Sequence, residues 1–233
     1  MALSDSAIAQ AYAGLAMEVG MKAKLLVAVL AGCSALLGPD RACAYNAAAD
    51  FSTVGNPNGV WSYGYSIGSG YAYLPFNVAS STSWSSSTYQ SLGAPAIWLP
   101  APASATLNLH PGPDNYSPAI LRFTAPASAS YSYAMQFFAG DSGDMNGGVF
   151  VNGNTAVPVA FFVSTNANPG NSGTVLLQAG DHFDVAVGNN GSFFFGTTPV
   201  ALSISAVPEP AQAALLLAGL GLLGVANWRQ RRA

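Results

Sequence analysis

The sequence predicts an all-β protein: a β-sandwich of jelly-roll type over residues 45–206, flanked by an N-terminal signal helix and a single C-terminal transmembrane helix. Three observations predict it. Apolar residues recur at every second position in several short segments. Clusters of Gly, Asn and Pro separate those segments. No segment before the C-terminal tail carries an apolar stripe at helical spacing.

The elements follow in chain order. Asn56-Pro57-Asn58-Gly59 is a turn signal ahead of the first strand. In that strand Trp61, Tyr63, Tyr65 and Ile67 alternate with Ser62, Gly64 and Ser66. Three apolar neighbours on its face put Trp61 in the core. Ser80–Thr88 is rich in serine and reads as a surface loop. Leu121 and Phe123 alternate with Arg122 and Thr124. In Ser130–Ala139 one face carries Tyr131, Tyr133, Met135 and Phe137, and the other Ser130, Ser132 and Gln136. Asn152-Gly153 is a hairpin signal between Val149–Val151 and Val157–Val163. Phe183, Val185 and Val187 alternate with His182 and Asp184, and Asn189-Asn190-Gly191 ends that strand. Val200, Leu202 and Ile204 close the series. Many short strands with such turns make a sandwich or a barrel.

Composition limits the function. Charged residues are 7% of the chain, against about 25% in an ordinary soluble domain. Between Tyr45 and Ala206 Arg122 is the single cation, facing Asp50, Asp114, Asp141, Asp144, Asp181 and Asp184. Nucleic-acid binding requires several Lys or Arg to displace phosphate counterions, so it is excluded for this body. The high apolar fraction, 51%, argues against disorder.

The N-terminal region has the anatomy of a secretory signal peptide at residues 21–44. Lys22 and Lys24 are its positive region, Leu25–Leu37 its apolar region, and Ala42-Cys43-Ala44 its small-x-small cleavage site. Signal peptidase is expected to cut after Ala44 and leave Tyr45 first. Leu30-Ala31-Gly32-Cys33 is a competing lipobox in which Cys33 would be acylated, but the apolar run continues past it. Residues 1–20 lack Lys and Arg. With GAG at Glu18, the codons of Met17–Gly20 hold a ribosome-binding sequence just before Met21. Translation is therefore expected to start at Met21, with residues 1–20 a start-site artefact. Both cysteines, Cys33 and Cys43, lie in the leader. Disulfides, thiol catalysis and cysteine metal sites are thus excluded from the body.

The tail has three parts in order. Val207-Pro208-Glu209-Pro210 precedes an uncharged run, Ala211–Trp228, followed by Arg229, Arg231 and Arg232 in the basic end 229–233. At about 1.5 Å per residue the run is about 27 Å long, enough for a bilayer core. Small residues such as Gly219, Gly221 and Gly224 alternate with Leu, as in helices that pack closely in lipid. The arginines would remain in the cytoplasm with the body outside. This tail resembles the PEP-CTERM sorting signal of exported bacterial proteins, also known as the ice-binding protein C-terminal domain, a name that implies no ice binding here. The resemblance covers Val207–Ala233. It implies recognition by an exosortase-type membrane protease near Pro208-Glu209-Pro210. The protein would then sit transiently in the inner membrane through its C-terminal helix and end at the cell surface or outside.

The body series "NPNGVWSYGY", "LHPG", "RFTAPASASYSY", "FFAGD" and "GDHFDVAVGNNG" is similar to carbohydrate-binding jelly rolls. The resemblance supports a fold rather than an activity. Gly140-Asp141-Ser142-Gly143 repeats the serine-motif core of chymotrypsin-like proteases. The chemistry needs a base and its orienting carboxylate. His110, Asp114 and Ser142 lie too close together in sequence for that scaffold, and a polar turn is expected instead. No feature selects a pair among the aspartates for glycoside hydrolysis. His110 and His182 lack metal-ligand spacing and read as strand-end residues. Asp141, Asp144 and Asn146, with adjacent glycines, are candidate oxygen ligands for calcium without EF-hand spacing. No other cofactor is expected.

The expected function is non-catalytic association with extracellular polysaccharide. Trp84 and Tyr89, in "STSWSSSTY", are the candidate ligand-binding residues, because serines on both sides of Trp84 offer no apolar face to bury it. An exposed ring can cover a sugar while hydroxyl and amide groups bond its hydroxyls. The alternatives are a passive structural matrix or biofilm protein with no ligand, and a glycan-active enzyme built on the aspartates.

Overall fold

The computed structural model describes residues 44–207, with Gly219, Leu220, Gly221 and Leu223 as helix. Residues 44–207 fall within one compact unit. The expected signal helix, the sorting motif beyond Val207, and most of the expected membrane span lie outside the described residues. Among the described residues no helix is long and apolar enough to cross a membrane.

The unit is an all-β sandwich, as its alternation predicts. Its strands are β1 (Ala44–Asn46), β2 (Trp61–Ile67), β3 (Ala72–Pro75), β4 (Val78–Ala79), β5 (Ser83–Ser85), β6 (Ala96–Trp98), β7 (Leu107–His110), β8 (Ala119–Thr124), β9 (Ala129–Phe137), β10 (Asn146–Val151), β11 (Ala160–Phe162), β12 (Gly170–Leu177), β13 (His182–Gly188) and β14 (Thr198–Ala206). One sheet runs β12-β9-β14-β7-β6-β5-β4, with β1 also paired to β14. The other runs β11-β10-β13-β8-β2-β3. All pairings are antiparallel, and from β8 onward the chain changes sheet at every connection except β10 to β11.

The two sheets meet through aromatic rings. Phe123 of β8 packs on Tyr131 of β9 at 5.5 Å, and Tyr133 of β9 on Phe183 of β13 at 4.7 Å. Trp61, Tyr63, Phe123, Phe137 and Phe183 are fully buried there. Trp61 sits in the core as its neighbours predicted, and its indole N–H donates to Asp50 Oδ2 at 3.0 Å.

The second face of the β2 sheet departs from the half-buried pattern. Ser62 and Ser66 on β2 and Asp184 on β13 are buried although they point away from the main core. Tyr71 and Tyr73 turn back over this face and form a small second core with Ile120, Phe150 and Ala186. Gly64 is required beneath it, since a side chain there would overlap Leu74 O and the Tyr73 ring.

Three local expectations are corrected. Ser80–Thr88 is not a free loop: it contributes β5 and opens a 3-10 helix, Ser87–Leu92. The Ser80 and Ser83 hydroxyls, 2.7 Å apart, close the β4–β5 turn. Second, Asn152-Gly153 does turn β10 back onto β11 as an antiparallel hairpin, with φ of 51° and 66°, but the returning strand is only Ala160–Phe162 rather than Val157–Val163. Val157, before that strand begins, stays exposed. Asn152 Oδ1 accepts from His182 N at 2.8 Å, and Asn152 N donates to His182 O at 2.9 Å. Third, Trp84 is buried, as described below.

Candidate functional site

A cleft of about 230 Å³ opens on the second face of the β2 sheet. Gly148 of β10 and Ala186 and Gly188 of β13 supply lining with almost no side chain. The space is enforced: a Cβ on Gly148 would overlap the Phe150 ring, and one on Gly188 would overlap Asn146 Oδ1. Aromatic lining comes from Tyr71, Tyr116, Phe150 and Phe161. Tyr116 is 56% and Phe161 55% exposed, whereas Phe150 is buried. Ser66, Ser69, Asn115, Asn146 and Thr155 add hydroxyl and amide groups.

These residues are held from behind. Tyr71 has φ of 52°, a left-handed conformation costly for a large side chain. Its ring lies 5.1 Å from that of Phe150, and the Gly153 turn leaves it just enough room. Tyr116 belongs to a braced loop. Gly112 N donates to Ser117 O at 2.7 Å, Asp114 N to Ser117 Oγ at 3.0 Å, and Ser66 Oγ to Tyr116 O at 3.2 Å. Asn189 Nδ2 donates to Pro113 O at 3.2 Å.

Under this face Arg122 lies opposite Asp184. Its Nε and Nη2 donate to the two carboxylate oxygens at 2.8 Å each, and the guanidinium sits 3.8 Å from the Tyr73 ring centre. Burial pushes the Asp184 carboxyl above its ordinary range, and Arg122 works against that shift. Burial also raises the Tyr71 phenol, with Asp184 adding to it, and raises Tyr73 to about 12. The hydroxyls of both tyrosines are buried with no partner at hydrogen-bond geometry.

The sequence-predicted residues are dispersed. Trp84 does not present a ring to solvent. It is 7% exposed, and its indole N–H donates to Ser52 O at 2.8 Å. The serines beside it say nothing about the core it joins or about its hydrogen-bond partner, which lies some thirty residues upstream. Tyr89 is half-buried, and its hydroxyl donates to Asp114 Oδ2 at 2.6 Å. That bond pushes its pKa up to about 12. Tyr89 therefore braces the loop carrying Tyr116 rather than lining the cleft.

Asp144 Oδ1 accepts from Ser164 Oγ at 2.8 Å and from Asn166 N at 3.3 Å, so this carboxylate ties two loops together. Asn146 begins β10 at the cleft, and Asp141 is exposed in the preceding loop. Among the described residues no three His, Cys, Asp or Glu converge as a metal site. Ser142 lies in an exposed bend, while His110 ends β7 with its ring against Phe193. His182 starts β13, with Nδ1 3.2 Å from Thr124 Oγ1.

Ala44 and Tyr45 lie in β1, where Ala44 pairs with Ser205 and the Tyr45 ring meets Phe123 at 5.3 Å. Val207 N donates to Ser130 O at 2.8 Å. Cys33, Ala42, Pro208, Glu209, Pro210, Arg229, Arg231 and Arg232 lie outside the described residues. Sequence reading missed the cleft. The linear signals for it were Gly147-Gly148 and the Asn115-Tyr116 pair, whose exposure only the structure shows.

Residues 206–232 match the PEP-CTERM protein-sorting motif. The tail is thus a sorting motif, which implies export and surface sorting by an exosortase system. No curated protein matches the sequence. Among solved structures, a family 35 carbohydrate-binding module from Clostridium thermocellum is similar at 20% identity, with a TM-score of 0.29 over 44% of this chain and 78% of that one. A family 35 module from Paenibacillus barcinonensis is similar at 14% identity, 0.28, 46% and 84%. The C-terminal family 6 module of a laminarinase from Zobellia galactanivorans is similar at 14%, 0.26, 42% and 79%. No ligand follows from likenesses at this level.

Proposed function

We propose that this is an exported surface protein whose jelly-roll sandwich binds extracellular polysaccharide, without cutting it, at the cleft beside Tyr116 and Phe161. The observation that carries the reading is the pairing of two half-open aromatic rings with hydroxyl and amide groups around a glycine-walled cleft. Rings cover the apolar face of a sugar, and the polar groups bond its hydroxyls. In this reading signal peptidase cuts after Ala44, or Cys33 is acylated instead. The segment Ala211–Trp228 holds the protein in the inner membrane until exosortase processing near Pro208-Glu209-Pro210. Calcium at Asp141, Asp144 and Asn146 is a secondary proposal, tested by chelation.

The body carries its own core, so residues 45–206 can be tested alone. Purified body should be retained on the producer's own matrix polysaccharide and leave its chain length unchanged. Absence of retention would refute binding and favour the passive matrix role. Depolymerisation would refute the non-catalytic assignment.

A further inference from the structure

We infer that the cleft takes an uncharged polysaccharide chain and discriminates against uronate- or sulfate-bearing ones. This rests on the polysaccharide reading above and names the ligand class for the same site.

Three observations carry it. Among the described residues lining the cleft, none is charged. The body's one cation cannot serve an anionic ligand. The Nε–Nη2 edge of Arg122 is committed to Asp184 at 2.8 Å for each contact, the Tyr73 ring covers the guanidinium, and its side chain is 12% exposed. Recruiting it would strand a carboxylate that is wholly buried. The charges that do stand near the rim are negative: Asp114 immediately precedes the lining pair Asn115-Tyr116, and Asp144 lies two residues before Asn146. Both aspartates are exposed. A carboxylate or sulfate entering the cleft would lose water, gain no counter-charge and meet two like charges. A neutral sugar loses only hydroxyl hydration, which the Ser, Thr and Asn groups replace. The braced Tyr116 loop is already ordered, so little is lost in fixing it on binding.

The test is affinity electrophoresis of the body, residues 45–206, through gels holding neutral glucans, mannans or galactans, against alginate, polygalacturonate and a sulfated galactan, at low and high salt. Retention is expected in at least one neutral gel, unchanged by salt, and about tenfold weaker or absent in the anionic gels. Tyr116→Ala and Phe161→Ala should each weaken neutral retention by about tenfold without altering the far-ultraviolet spectrum. Preferential, salt-sensitive retention by an anionic polymer would overturn the neutral-ligand inference and leave polysaccharide binding standing. Retention that survives both substitutions together would place binding elsewhere and remove the cleft. Retention by none of the polymers, the producer's matrix included, would overturn both readings. Self-association abolished by Phe161→Ala would instead make the cleft an interface between copies.

Discussion

Arg122 on β8 and Asp184 on β13 stand directly opposite in the ladder and form a two-bond ion pair, 2.8 Å at each contact. The sole cation of the body is thus spent inside it. The pair lies under Tyr73, on the face that also carries the cleft.

Removing one partner leaves the other charge buried and unpaired. Arg122→Met should cost about 3–5 kcal/mol in urea unfolding, and Asp184→Leu a comparable amount. The double variant should recover most of that loss, since a well-packed apolar pair replaces the ions. Additive losses in the double variant would show that the two residues act independently.

Trp84 should be a stability residue and not a ligand residue. Trp84→Ala should cost about 3–5 kcal/mol. Trp84→Phe, which leaves the Ser52 carbonyl without its donor, should cost about 1–3 kcal/mol. Glycan retention of the folded Trp84→Phe protein should equal that of the parent. A selective loss of retention at unchanged stability would reinstate Trp84 as a binding residue.

Gly64→Ala should damage the second face before the main core. Its methyl group must displace either the Leu74 carbonyl or the Tyr73 ring. Lower thermal stability is expected, together with weakened glycan retention, because Tyr71 and Tyr73 move together on one short strand and its turn. Unchanged melting would mean that β3 is more pliant than its register implies.

Tyr89 should act by positioning. Tyr89→Phe removes the bond to Asp114 and with it one of the braces on the loop that carries Tyr116. Retention should fall several-fold while melting shifts little, since one partly exposed hydrogen bond contributes about 1 kcal/mol. Equal retention would show that the loop holds itself.

His182 sets a pH dependence. Burial lowers its pKa below the ordinary value of 6.5, with Arg122 adding to the shift. Below pH about 6.5 the unfolded chain takes up a proton that the folded chain refuses, so stability falls as pH falls through that range. The melting temperature should drop between about pH 7.5 and 5.5, and His182→Gln should flatten the drop. An equal drop in that variant would assign the dependence to other groups.

The sequence alone determined the strands β2, β8, β9, β13 and β14, because side chains alternate faces along a strand whatever surrounds it. It determined the tail for a similar reason: Val207-Pro208-Glu209-Pro210, an apolar run and an arginine cluster are read in linear order. What lies on each face was another matter. Ser62, Gly64 and Asp184 alternate as solvent-facing residues do, yet Tyr71 and Tyr73 cover them from the next strand and its turn. Trp84 has only serines beside it, yet its ring joins the buried core and its indole N–H reaches Ser52 O. The cleft draws on β2, the loop before β8, and on β10, β11 and β13, segments up to about 120 residues apart in a chain of 233. Burial and cleft formation depend on which distant segment packs on a face, and only the tertiary fold decides that.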